Sequence, residues 1–304
     1  MAILNGIISK LNGSAGQLTF KRVNGQTVVS EKVTQTTDRR TSAQMRQRMK
    51  WPNLVAMYKG IAPLLNMAFE NKPKGSSDYN MFMRANLSAT PVYMTKTEQT
   101  AGACVAAPYQ ITQGSLPAIV LSGDAGASVT DIKCGIAIDA DTTIKAFSDA
   151  VVSANSNYSY GDQISFIYAI QSVDAVTGAP KCEFYGEAIL LDKESEVKVL
   201  DAVSARGFSV SGGYLAGSID FVGVYAWVHS RKSSGSTLVS SQVMVNYNEV
   251  IYNEYIGDDA YQRAVETYGG ENTTFLTPDE QSESGDTPTP TPVTTKVKLT
   301  LVAG

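Results

Sequence analysis

"SYGDQISFIYAI", Ser159–Ile170, is the stretch whose reading decides the fold. A Gly161-Asp162 turn leads into an apolar run of β-branched and aromatic residues, which predicts a strand. The same texture repeats from about residue 101 onward. Short apolar runs alternate with Gly, Asp, Asn and Ser, predicting strands at 117–122, 132–139, 143–148, 163–172, 182–191, 207–211, 219–229 and 238–247. This spacing is that of an antiparallel β-sandwich, Ig-like, with one or two lobes. "SVDAVTGAP" (172–180) and "SRKSSGST" (230–237) read as hairpin loops. A short helix is expected at 257–268, where Asp258 and Asp259 suit the positive end of the helix dipole and Gly269-Gly270 stops the helix.

The first hundred residues differ. "GSAGQLTFKRVNGQTVVSEK" (13–32) predicts a β-hairpin turning at Asn24-Gly25, because a type I′ turn needs φ > 0 at both central residues. Two strands alone are marginal in water, so a cover is required. Thr41 and Gln44 form a capping-box pattern. Met45, Leu54, Val55, Tyr58, Ile61, Leu65, Ala68 and Phe69 then recur at helical spacing. Pro52 and Pro63 predict two or three helical segments between 41 and 71. After "KPKGS" (72–76), Ser76 or Ser77 caps a shorter helix ending before Pro91. These helices are expected to fold onto each other and onto the hairpin. The fold class is α+β, mostly β.

Residues 271–292 are acidic and Pro-rich, a linker. In 293–304 Val297, Leu299 and Leu301 alternate with Lys298 and Thr300, a strand on a tether that can pair in its own subunit or in a neighbour. The organisation read from sequence is therefore 1–100 hairpin and helices, 101–270 β-sandwich body, 271–292 linker and 293–304 strand.

The net charge of −4 conceals a division. Residues 1–100 hold 14 Lys and Arg against 5 Asp and Glu, a charge of +9; the remainder holds 11 against 24, a charge of −13. The halves can attract within one chain or between copies, or the basic half can face nucleic acid. The basic candidates are Lys21, Arg22, Lys32, Arg39, Arg40, Arg46, Arg48 and Lys50. With Val297, Leu299 and Leu301 they form the candidate interface. No apolar stretch is long enough for a transmembrane helix, and "MAILNGIISKLNG" reads as a poor signal peptide, so no membrane role is expected. Cys104, Cys134 and Cys182 have no metal-type spacing and are expected as free thiols.

Catalytic patterns are missing from the sequence. Neither a P-loop, a G-x-G-x-x-G nor a G-x-S-x-G occurs. His229 stands alone, and a lone histidine reads as structural. Asp139 and Asp141 imitate the start of a calcium loop without its later Gly and Glu. No catalytic residue, metal site or cofactor is therefore expected.

The N-terminal pattern resembles a family of uncharacterised proteins from Bacteroidota and their phages. Gly13, Gly16, Phe20, Gly25 and Val29 match its hairpin, and Thr41, Gln44 and Arg48 match its T-x-x-Q-x-x-x-R helix. "QITQGSLPAI" (110–119) and "LVSSQVMV" (238–245) are also similar to it. Ser30 departs from the Arg often found there, and the Pro-rich tether is not a family feature. The resemblance implies a virion component, such as a tail or connector protein of crAss-like phages. The expectation is a non-enzymatic structural subunit, assembled in the host cytoplasm into a homo-oligomeric ring or tube of the tail or neck. Its partners would be other tail and neck proteins, with non-specific contact to packaged DNA second. The alternative is a cell-surface or secreted binding module, an adhesin or carbohydrate binder.

Overall fold

The computed structural model describes residues 2–4, 12–23, 26–35, 41–65, 67–122, 127–204, 206–247 and 249–269. The Asn24-Gly25 turn, the linker and the terminal strand lie outside the described residues. The fold is mixed, with N-terminal hairpin strands and several antiparallel sheets. The N-terminal strands are β1 (Ala2–Leu4), β2 (Gly13–Ala15), β3 (Leu18–Val23) and β4 (Gln26–Glu31), in the order β1-β4-β3-β2.

Helix α1 (Ser42–Ile61) follows, then a 3-10 turn (Ala62–Leu64), α2 (Asp78–Asn86) and α3 (Lys96–Thr100). The capping box forms as expected: Gln44 N–H donates to Thr41 Oγ1 at 3.4 Å and Thr41 N–H to Gln44 Oε1 at 3.3 Å. Helix α1 nevertheless continues through Pro52 rather than splitting there. Pro52 lacks the N–H that would bond the Arg48 carbonyl. The Tyr268 hydroxyl, which also donates to Gln99 Oε1, lies 3.5 Å from that oxygen.

The body contains β5 (Gln110–Thr112), β6 (Leu121–Ser122), β7 (Ala127–Lys133), α4 (Ile144–Ala154), β8 (Asp162–Val173), β9 (Pro180–Leu190) and α5 (Val199–Ala202). It continues with β10 (Ser209–Ser211), β11 (Tyr214–Ser218), β12 (Gly223–Ser233), β13 (Ser236–Val239), β14 (Gln242–Val243), β15 (Val245–Tyr247), α6 (Val250–Asn253) and α7 (Gly257–Gly269). The strand expected at 143–148 is the start of α4. Thr143 Oγ1 caps it by accepting the Ala146 N–H at 3.2 Å, and Phe147, Ser148 and Val151 bury one helical face. The strand expected at 132–139 sits earlier, as β7.

Strands β8 and β12 organise the core. They pair from Gly223↔Ile170 to Arg231↔Asp162, inside a sheet ordered β13-β12-β8-β9 with β15 also on β12. Side chains alternate across a strand, and both faces of this pair are buried. Ile167, Ala169, Val224, Ala226 and Val228 join a first core with Leu54, Met57 and Ile61 of α1 and Phe82 of α2. Ile164, Phe166, Tyr168, Tyr225 and Trp227 join a second core with Phe147 of α4, Ile132 of β7 and Leu215 of β11. The helices thus cover one face of the central sheet, and a sheet ordered β10-β11-β7-β6 with α4 covers the other. The change of texture near residue 100 does not separate the cores, because the first runs from Leu54 to Tyr255.

Two polar side chains tie the layers. Asn53, fully buried, donates to Val105 O (2.9 Å) and Tyr109 Oη (3.0 Å) and accepts from Val105 N–H (2.7 Å). Asn53→Ala leaves both Val105 backbone groups buried and unpaired, a cost of about 2 kcal/mol, measurable by urea unfolding. Glu70 Oε1 accepts from Val239 N–H (2.6 Å) and Ser115 N–H (3.1 Å). Burial alone would raise its carboxyl, but these N–H groups outweigh that and hold it below the ordinary value. Glu70 thereby clamps 110–119 to 238–245, which also pair with each other as β5 and β14.

Candidate interaction surface

The N-terminal sheet has two unlike faces. Cross-strand partners share a face, so Phe20 with Val29, Leu18 with Glu31 and Ala15 with Leu18 define one side. Lys21 with Val28 and Thr19 with Ser30 define the other. None of the described side chains of β2, β3 and β4 belongs to the three hydrophobic clusters, although Thr27 is fully buried. Leu18 is 45% exposed and Val23 49%, while Phe20, Val28 and Val29 are half-buried. The expected cover by the helices is therefore not what the clusters hold: the apolar stripe of α1 is consumed by α2, the body and α7.

The basic candidates part company. Lys21 and Arg22 are exposed on opposite faces of β3, and Lys32 is exposed just after β4. Arg39 and Arg40, like Val297, Leu299 and Leu301, lie outside the described residues. Arg46 and Arg48 are exposed on α1 beside α7, where Met45 and Met49 pack with Ala264 and Val265. The Arg46 guanidinium sits 4.8 Å from the centre of the Tyr261 ring, a cation–π contact. Lys50 is 7% exposed, so it departs from the surface cluster the sequence suggested. Burial, and secondarily Arg46, lower its ammonium pKa. Part of the basic segment thus anchors α7 within the chain.

A buried polar cluster went unread in the sequence. Asp162 and His229 have almost no exposed surface. Arg231 grips Asp162 through Nε–Oδ1 (2.6 Å) and Nη2–Oδ2 (2.7 Å), and Ser159 N–H donates to Oδ2 (2.9 Å). His229 Nε2 is 2.9 Å from Oδ2. Burial would raise the Asp162 carboxyl, but Arg231, His229 and Ser159 outweigh it and hold it at about 2. An ionised carboxylate only accepts, so Nε2 carries the hydrogen and Nδ1 has no bonding partner among the described residues. The imidazole stacks on Tyr158 at 4.4 Å between centroids. An imidazole held by a carboxylate is half of a general-base arrangement, but this ring has no exposed surface for a substrate to meet. The cluster knits the ends of β8 and β12 together. Its sequence signal is an Asp just before one apolar run and an Arg just after another, which antiparallel pairing brings opposite each other.

Other chemistry-bearing groups are locally occupied. Asp139 Oδ1 accepts from Asp141 N–H (2.9 Å) and Thr142 Oγ1 (2.9 Å), and Asp141 pairs with Lys198 at 2.8 Å. A recess beside Tyr58, Leu65, Met67 and Phe82 contains Asp78, which already binds Lys72 (2.9 Å) and Phe69 N–H (3.0 Å). Among the described residues, no three His, Cys, Asp or Glu side chains group as a metal site, and no helix is long and apolar enough to cross a membrane. Comparison with family models, curated proteins and solved structures finds no match to this chain.

Proposed function

We propose that the chain is a non-enzymatic structural subunit of a bacteriophage virion, self-assembling into a ring or tube of the tail or neck. The observation that supports this reading is the N-terminal sheet: Leu18 on one face and Val23 on the other stay about half exposed, and no described side chain of β2–β4 joins the three cores. Apolar side chains left open on a small sheet favour a partner surface. The charge of +9 on residues 1–100 and −13 on the rest favours the head of one copy on the body of the next. Such head-to-tail contacts give a ring where the rotation closes and an open helical tube where it does not. Packaged DNA is the second partner for Lys21, Arg22 and Lys32.

Light scattering on the full chain is expected to show a species larger than a monomer at high protein concentration. Raising salt from about 0.1 to 1 M, which shortens the screening length from roughly 10 to 3 Å, should weaken it. Leu18→Glu should abolish assembly while shifting the body's stability by less than about 0.5 kcal/mol, because that residue lies outside the cores. A monomer under every condition, with the protein absent from purified particles by mass spectrometry, would overturn the proposal.

A further inference from the structure

We infer that the open edge of β9 is the acceptor for residues 294–302 of a neighbouring copy, an inference that rests on the self-assembly proposed above. β9 ends its sheet, with β8 on one side and no strand on the other among the described residues. Gln171 N–H points away from β9, to Val222 O at 2.7 Å, which fixes the alternation along β8. Opposite Gln171 is Cys182, so the backbone groups of Cys182, Phe184, Gly186, Ala188 and Leu190 face outward. The Pro180 carbonyl has the same phase and accepts from Cys104 N–H (2.8 Å), whereas the five later residues have no backbone partner among the described residues. The other sheet edges among the described residues are short: β1, β2, β5, β10 and β15 have three residues each, β13 four, and β6 and β14 two. β9 has 11, enough to take a strand of nine.

The faces of β9 match the alternation of the incoming segment. Glu183, Tyr185 and Glu187 line one side, while Phe184 and Gly186 line the other, against Gly60 of α1 and Leu64 of the following 3-10 turn. In 294–302, Lys296, Lys298 and Thr300 alternate with Val297, Leu299 and Leu301. A strand laid on this edge sets a lysine beside Glu183, which accepts the Tyr185 hydroxyl at 2.7 Å, while Glu187 already accepts the Ser204 N–H (2.8 Å) and hydroxyl (2.5 Å); its apolar row falls beside Phe184 and Leu64. Residues 270–292, if extended, span about 70 Å, enough to reach a neighbour.

The test is a full-length chain carrying Ala188→Cys and Leu299→Cys, oxidised with diamide, with each single variant as a control. A ladder of covalent dimers and larger species on denaturing gels is expected. An internal cross-link in monomers, or none, overturns the inference. Ala188→Pro removes an outward N–H and leaves the Glu187 and Ile189 bonds to β8 in place. It should raise the concentration needed for assembly at least tenfold without changing the melting temperature. Glu183→Lys should weaken assembly likewise, with recovery on adding Lys296→Glu and Lys298→Glu. If the wild-type chain assembles and none of these changes affects it, the edge assignment fails while the assembly reading stands. A wild-type chain that never assembles overturns both.

Discussion

Gly223→Ala is expected to be the most damaging single-methyl change among the described glycines, costing about 2–6 kcal/mol. Gly223 opens β12 at φ +151°, a conformation L side chains rarely adopt, and pairs with both Ile170 and Tyr247. An added Cβ would lie 1.9 Å from Ala169 O and 3.2 Å from Gln171 N. These are backbone atoms of the central strand, so no rotamer change relieves the clash. Backbone strain and overpacking each cost about 1–3 kcal/mol, and here they add at one site. The expected result is insoluble protein or a large loss of melting temperature. Gly235→Asn, at a hairpin turn with open space around it, should change stability by less than about 1 kcal/mol. Equal behaviour of the two variants would contradict the packing at Gly223.

Asp162→Ala is the second large effect, about 3–5 kcal/mol, because it strands buried His229 and one side of Arg231 without the carboxylate that both bind. The same group predicts an acid response. Its folded pKa of about 2 lies below the ordinary 3.8, so its stabilisation is fully present above pH 4 and is lost as pH falls toward 2. The separation is worth about 2–3 kcal/mol. Urea unfolding at pH 6 and pH 2.5 should show a loss in the wild type that is smaller by this share in Asp162→Ala, the remainder coming from groups such as Glu70. Asp162→Asn, which keeps the shape but not the charge, should lose the same share. An unchanged response in either variant would rule out the carboxylate as its source.

The core strands were legible because burial on both faces writes continuous apolar runs. "QISFIYAI" and "VYAWVH" could be read as strands without knowing their partners. The capping patterns at Thr41 and Ser77 were equally local and equally readable. Helix α4 was missed because its apolar opening, "TIKAF", fits a short strand. The decisive spacing of Ile144, Phe147 and Val151 appears only when the window extends to residue 151. Pro52 misled for a related reason: the hydroxyl near the freed Arg48 carbonyl comes from Tyr268, 220 positions away. The candidate interface was proposed from charge and alternation, which did not reveal the diversion of Lys50 and Arg46 toward the interior and α7. The Asp162 cluster depends on a long-range register that no short window contains.

The alternation of β8 and β12 between two cores has a mechanical consequence. Each of these strands contributes consecutive side chains to opposite hydrophobic layers, so neither layer can come apart without stripping the sheet that serves both. The body should melt in one cooperative step, and amide hydrogens of 164–169 and 224–228 should exchange only through that global opening. The N-terminal sheet, outside both layers, should exchange orders of magnitude faster in the isolated subunit. The molecule then pairs a rigid block with a separately ordered head, and on the assembly proposed above a neighbour could reset the head without loosening the block.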